Sequence, residues 1–432
     1  MILDTAQHIS FVPQVKEFFL ARQPILDRNQ DLVAYELLFR RAGNRQAGDR
    51  QKAIIDDSRG AASLIAHTSE LGIENVTGDA LGFFNVDSTL LMDELVNFLP
   101  REKVVFEFPQ TGKITPELVR RVSEMVDAGY RFALDDVITF SEYIKPLLPL
   151  IEIVKIDTSV MTRADLVILA KQFKEANKLL LAEKVETVEQ FRNFQDLGFD
   201  YYQGYYFAKP DILSGKKLTA SQLAIMQLMT LVARDADNVE IEHSIKKEVS
   251  LCLSLLRLVN TFGMGVTKSI HSLGEALVVL GRRQLQRWLQ IQLYMGSHAT
   301  AHLSSPLLLL ATTRGKFLEL IAQKLKPSNK SIADIAFTVG ILSLLDALFG
   351  QPMEKILRQI VLGRDVSEAL LYRAGFYGDL LKLSEYLEKS GESGRLLAPL
   401  LLKLNLPAEE LYPLQLEALE WSNSLLPFTQ EG

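Results

Sequence analysis

The sequence predicts two folds in one chain: an α/β domain built as a modified (β/α)8 TIM-like barrel over residues 1–213, and an all-α domain with a helical extension over residues 214–432. Three observations carry this. Strand-like and helix-like segments alternate through the first half, the pattern of a largely parallel sheet with crossover helices. Acids, amides and one lysine recur at or near the ends of those strands, and in a barrel such positions share one mouth. From about Ile212 onward no strand pattern persists, and helical periodicity takes over.

Taken in order, two apolar runs over 18–26 and 32–40 flank the turn-forming Asp27-Arg28-Asn29-Gln30-Asp31 and read as a hairpin. A polar loop, 41–56, follows. Strands are then expected at 81–86, 104–108, 132–134, 151–156, 179–182 and near Tyr201-Tyr202, with helices at 61–71, 117–128, 164–176 and 188–197 between them. Seven or eight strands at this length favour a barrel over an open sheet. Ser214-Gly215-Lys216-Lys217 reads as a linker. Helices are expected beyond it at 223–234, 246–259, 273–286, 307–324, 332–348 and 354–362, and the tail 366–425 continues the pattern.

Composition narrows the function. The chain has 432 residues, enough for two domains, with 48% hydrophobic and 23% charged residues, as in ordinary globular proteins. A net charge of −6 argues against a nucleic-acid polymer as partner, although a metal or a local pocket can still admit a small anionic nucleotide. Cys252 is the only cysteine, so no internal disulfide forms, which fits a reducing cytoplasm. Residues 1–13 lack the pattern of a signal peptide. The uncharged stretch 288–313 is broken by Gln290, Gln292, Ser297, His298, Ser304, Ser305 and Pro306, so no membrane span is expected there. The expectation is a cytoplasmic protein.

The chemistry concentrates at strand ends. Phe132-Ala133-Leu134 runs into two adjacent carboxylates, Asp135 and Asp136, which repel unless a proton or cation lies between them. Glu36, Asn85, Glu107, Lys155 with Asp157, Glu183 with Glu186, and Gln203 occupy comparable positions on the other strands. One strand-end acid is usually a helix cap. So many converging on one mouth are costly without cations, and hard oxygen ligands suit magnesium or manganese. Two such ions would support two-metal phosphodiester hydrolysis.

These residues resemble the EAL family, whose active members hydrolyse cyclic di-GMP on a metal-dependent barrel. Gln23-Pro24-Ile25 is similar to that family's opening segment, and Glu36-Leu37-Leu38-Phe39-Arg40 stands at its name-giving motif. Lys155-Ile156-Asp157, Ala182-Glu183-Lys184-Val185-Glu186-Thr187 and Gln203-Gly204-Tyr205 match further motifs in order. The resemblance implies metal ligands at Glu36, Asn85, Glu107, Asp135 and Asp136. It implies catalytic roles for Lys155 and Glu183, and substrate contacts from Gln23, Arg40, Glu186 and Gln203. The implied cofactor is a two-ion magnesium or manganese site.

The departures carry their own implication. Leu37 replaces the signature alanine. Asp135-Asp136-Val137-Ile138-Thr139-Phe140 lacks both glycines of the family loop, and Val and Ile resist positive φ. Pro109-Gln110 replaces Thr-Glu, removing a carboxylate that supports that loop, and Lys184 replaces a glycine. A loosely supported site loses rate steeply. The expectation is therefore a barrel that binds nucleotide, metal or a partner with weak or no turnover. The alternative is an active phosphodiesterase releasing linear pGpG.

The second half resembles the HDOD domain, an HD-hydrolase-like helical fold without the hydrolase residues. Its core is recognised in Leu255-Leu256-Arg257-Leu258-Val259-Asn260, Ser269-Ile270 and Leu280-Gly281, and no His-Asp dipeptide occurs in the chain. The implied role is contact with a protein partner. His298 and His302 read as ordinary polar residues.

Overall fold

The computed structural model of the chain describes residues 18–41, 72–112, 114–208, 220–260, 270–295, 305–388 and 393–425. The helix expected at 61–71, the linker at 214–217, the 213/214 boundary, and both His298 and His302 lie outside them.

Eight strands close into a barrel in sequence order. β1 (Phe18–Asp27) and β2 (Leu32–Arg41) form the antiparallel hairpin. Asp27 Oδ1 tightens the turn by accepting from the backbone N–H groups of Asn29 (2.8 Å) and Asp31 (2.9 Å), the short-range bonding that suits Asp to turns. The helix α1 (Ile73–Thr77) precedes β3 (Leu81–Asn85), and α2 (Ser88–Leu91) lies between it and β4 (Val104–Pro109). Then come α3 (Pro116–Asp127), β5 (Arg131–Val137), β6 (Ile153–Asp157), α4 (Arg163–Glu175), β7 (Leu179–Glu183), α5 (Val188–Asp196) and β8 (Tyr201–Gln203). β2 to β8 pair in parallel, and β8 closes on β1 antiparallel through Ile25–Gln203, Leu26–Tyr202 and Asp27–Tyr201.

Local chemistry sets the helix starts. Thr115 caps α3 by accepting from the Leu118 N–H, and Pro116 supplies the fixed φ of a first helical position. Leu118, Val122 and Met125 then form its buried stripe. Thr187 and Gln190 cap α5 reciprocally.

One layer of side chains fills the barrel and fixes everything above it. Ile25, Ala34, Phe83, Val105, Ala133, Ile153 and Leu181 pack together there, all at most 2% exposed, with Tyr201 against them. Side chains on a strand alternate faces. Two residues further along, each parallel strand therefore points inward again: Glu36, Asn85, Glu107, Asp135, Lys155, Glu183 and Gln203. β1 runs the other way, and Gln23 comes two residues before Ile25.

β5 runs past the expected end at Leu134. It continues through both aspartates because Pro109 still pairs with Asp135, and after a shift Val137 pairs with Ile156. Asp136 bridges that irregularity at φ 53°, a left-handed conformation that Asp tolerates better than most side chains.

The chain divides into two compact units. One holds the barrel together with Glu385–Asn423; the other holds Tyr205–Ser384. The tail helices α16 (Ser393–Leu404) and α17 (Leu411–Ser424) thus belong largely with the barrel, although their sequence only continues the helical pattern. Helical periodicity reports a buried face without saying what covers it.

The second unit contains only helices among the described residues: α6 (Ala220–Ala233), α7 (Asn238–Ile245), α8 (Val249–Val259), α9 (Leu273–Met295), α10 (Pro306–Leu325), α11 (Lys330–Leu342), α12 (Leu345–Phe349), α13 (Met353–Leu357), α14 (Arg364–Tyr372) and the start of α15 (Gly375–Glu388). α9 outruns the expected 273–286 and kinks at Gly281 (φ 70°). α10 and α11 cross where Gly340 meets Gly315, since a Cβ on Gly340 would lie 2.6 Å from the Gly315 Cα. The stretch Lys330–Phe349 is long and apolar enough to cross a membrane (mean hydropathy 1.9), yet 67% of it is buried within the protein, as in a core helix.

Candidate active site

The inward layer above the apolar plug is a cluster of four carboxylates around one ammonium. Lys155 is fully buried. Its Nζ lies 2.7 Å from Glu107 Oε1, 2.9 Å from Asp135 Oδ1, 3.3 Å from Glu36 Oε2 and 3.3 Å from Glu183 Oε1. Glu36 is further held by Asn85, whose amide donates to Oε1 at 2.9 Å, and by Gln203, which donates to Oε2. The Gln203 amide also donates to Gln23 Oε1 at 3.1 Å. Seven strands thus contribute to one connected network, with Gln23 added from β1.

Electrostatics separates these acids. Burial works to raise the Glu36 carboxyl, but Lys155 and the Gln203 and Asn85 amides outweigh it and hold the group below its ordinary value. Glu107 is pushed well up by burial and by Glu36, against the pull of Lys155. Asp135 is raised, chiefly by burial. Burial also lifts Glu183, to about 8. For Lys155, burial is outweighed by Asp135, Glu107, Glu183 and Glu36, which hold its proton firmly. One cation therefore compensates the acids only in part, and the excess negative charge is stored as raised carboxyls.

That excess fits a divalent metal. Asp135, Asp136 and Glu183 each offer a carboxylate oxygen, all within 4.8 Å of one another. The donors are hard oxygens, as magnesium and manganese prefer. Buried Glu107 Oε2 and Glu183 Oε2 have no hydrogen-bond partner, an expensive condition that a cation relieves. Asn85 gives its NH2 to Glu36, and an amide has a carbonyl oxygen besides.

Two of the expected contacts stand apart. Glu186 is exposed on the loop entering α5, where its N–H donates to Gln190 Oε1 at 2.7 Å. The Arg40 side chain lies outside the described residues.

The expectation that the loop after Asp136 loses its support is corrected. Gln110, itself buried, donates from Nε2 to the Thr139 carbonyl at 2.6 Å and accepts at Oε1 from the Ile138 N–H at 3.1 Å. Its own N–H donates to the Asp135 carbonyl at 2.9 Å. A carboxylate accepts only, whereas this amide meets one donor and one acceptor of the loop. The sequence signal was the Glu-to-Gln exchange, which reads as a loss until the carbonyl opposite is seen.

Lys184, which stands where the family has a glycine, brings a cation within reach of the Glu183 and Asp136 charges. It sits at φ 57°, where a glycine would be unstrained. Its ammonium donates to Asp157 Oδ2, so that it stands as one half of an ion pair with an acid of the neighbouring strand. Gly204 is constrained by contact: a Cβ there would lie 2.0 Å from the Val185 carbonyl oxygen, because Val185 N–H donates to the Gln203 carbonyl at 2.9 Å.

A barrel carrying this mouth, followed by a helical domain, defines a class that the family comparisons state directly. The EAL domain family matches residues 7–210 and the HDOD domain family residues 218–359. The chain belongs to the EAL–HDOD family. It is 32% identical over 411 residues to cyclic di-GMP phosphodiesterase CdgJ of Vibrio cholerae, covering 94% of this chain and 93% of that one. It is 28% identical over 421 residues to the protein YuxH of Bacillus subtilis, covering 94% and 98%. Among solved structures, the Bacillus subtilis YkuI protein, which has an EAL domain and was crystallised with c-di-GMP and calcium, is 17% identical. That match covers 55% of this chain and 73% of the other, with a TM-score of 0.38. An EAL domain protein from Listeria monocytogenes is 19% identical over 47% of this chain and 94% of its own, with a TM-score of 0.36.

Proposed function

We propose that this protein is a metal-dependent phosphodiesterase that opens cyclic di-GMP to linear pGpG. The observation that carries the reading is the single network joining Glu36, Asn85, Glu107, Asp135, Lys155, Glu183 and Gln203 at one barrel mouth, with its loop held by Gln110. The name of the Vibrio cholerae relative, which this chain matches over nearly its whole length, supports the same substrate.

Asp135, Asp136 and Glu183 would hold a magnesium or manganese ion, with Glu107 and Asn85 beside them for a second. Bound there, such ions polarise a phosphodiester and acidify water. Lys155 keeps the acids folded together and directs its protons toward the oxygens that order the attacking water. Burial keeps a proton on Glu183 while the acids face each other alone; a cation beside it would displace that proton, and its unpartnered Oε2 would then take one from that water. The water oxygen forms the new P–O bond, one P–O ester bond breaks, and the departing hydroxyl takes its proton from solvent. Gln203 and Gln23, bonded to each other, present amide edges suited to a guanine. The helical unit serves as a protein-contact module, and the buried stretch Lys330–Phe349 is read as core in a cytoplasmic protein.

A second reading, nucleotide binding with little turnover, is favoured by Glu36, both of whose oxygens are occupied by Asn85, Gln203 and Lys155. Incubation of the full chain with cyclic di-GMP and manganese, followed by chromatography, separates the two. Linear product that disappears in Glu183→Ala supports hydrolysis. Binding heat without product leaves the second reading, and no heat at high micromolar nucleotide refutes both.

A further inference from the structure

We infer that Lys184, through its ion pair with Asp157, is a positioning residue for the metal-binding carboxylate of Glu183; this rests on the metal centre proposed above. β6 and β7 lie side by side with Asp157 opposite Glu183. Two links tie the loops that follow them, and both meet at Glu183 or its neighbour. The Thr158 hydroxyl donates to the Glu183 carbonyl at 2.7 Å. One residue later, the Lys184 ammonium donates to Asp157 Oδ2.

Asp157 is a prepared anchor. Its side chain is 9% exposed, and its other oxygen accepts from the Ser159 N–H at 2.9 Å and the Ser159 hydroxyl at 2.6 Å. The carboxylate is thereby fixed before Lys184 reaches it. Lys184 adopts φ 57°, which costs a side-chain-bearing residue energy that glycine avoids. A lysine held in a glycine conformation persists where another contact compensates, and the buried end of the pair supplies it. The backbone from Glu183 to Val185 is then pinned from both sides: by Lys184 to β6 and by the Val185 N–H to the Gln203 carbonyl on β8 (2.9 Å).

Charge and position make opposite forecasts here, which allows a clean test. The Lys184 ammonium lies close enough to Glu183 and Asp136 to feel both charges. A cation there, acting by charge alone, repels a divalent ion, so its removal would tighten metal binding. A cation acting through Asp157 orients the backbone that carries a ligand, and its loss weakens metal affinity toward the low end of the roughly 10–100-fold seen for a ligand's direct outer partners.

The measurement is manganese titration of the full chain by calorimetry, without nucleotide, for wild type, Lys184→Ala, Lys184→Gly and Lys184→Arg. The expected result is about tenfold weaker binding in Lys184→Ala, with most of the affinity regained in Lys184→Arg, whose guanidinium can still reach Asp157. Lys184→Gly removes the pair while accepting the left-handed backbone, so it stays folded and should bind as weakly as the alanine variant. Equal or tighter binding in both the alanine and glycine variants overturns the positioning role and leaves the metal centre standing. A wild type that binds no manganese overturns the two together.

Discussion

Removing the ammonium at the centre of the barrel mouth should cost the protein much of its stability. Lys155→Met keeps most of the side-chain volume but leaves Glu36, Glu107, Asp135 and Glu183 without their shared cation, which is fully buried and 2.7–3.3 Å from each of them. Breaking a buried pair by deleting one partner costs about 3–5 kcal/mol. At about 2–4 °C per kcal/mol for a unit of this size, the melting temperature should fall by roughly 6–20 °C. The fall must depend on pH. Glu107, Asp135 and Glu183 are raised even with Lys155 in place, so in the variant they can take up protons and spare part of the cost in mild acid. Scanning calorimetry in chelator should show a larger deficit near about pH 8 than near about pH 6. Manganese should recover more stability in the variant than in wild type. A deficit below about 1 kcal/mol, the scale of a surface ion pair, or one equal at both pH values, would refute the reasoning.

Three further outcomes are expected. The Glu183 carboxyl is raised to about 8, so the folded state holds a proton that the unfolded chain releases; its contribution to stability is lost as pH rises from about 4.3 toward 8. Thermal shift by manganese should accordingly be larger near about pH 8 than near about pH 6, and an equal shift would contradict the assignment. Gln110→Glu, although it restores the family's residue, should destabilise by about 1–2 kcal/mol in urea unfolding, because a carboxylate cannot donate to the Thr139 carbonyl that Gln110 meets at 2.6 Å; a neutral or stabilising effect would count against the loop account. Leu411→Ala, at a fully buried position of the tail, should cost about 2–5 kcal/mol in the unfolding transition that manganese shifts, since the tail belongs to the barrel unit. A manganese-responsive transition left unmoved would place those helices elsewhere.

Much of this was readable from residue order alone. The hairpin announced itself by the Asp27–Asp31 turn, and the strands by short apolar runs ending on polar residues. The convergence of Glu36, Asn85, Glu107, Asp135, Lys155, Glu183 and Gln203 follows from strand alternation once the barrel is assumed. What stayed hidden depends on partners distant in sequence. Gln110 looks like a loss until the Thr139 carbonyl is seen opposite it. Lys184 looks like a stray cation until Asp157, 27 residues earlier, is found to receive it. Helices 393–425 carry the same periodicity whichever unit they cover. Two adjacent acids read as a loop and place the end of β5 at Leu134, whereas backbone pairing to Pro109 and Ile156 keeps the strand going.

The two-residue step from apolar plug to polar mouth also governs which lesions the barrel can survive. Losing a single residue between Val105 and Glu107 would present Glu107 to the surrounding helices and turn Phe108 into the polar mouth. Exchanges of side chain along these strands can keep the register of the barrel, at whatever cost in stability the lost group carries. Changes of length cannot, and they belong in the loops.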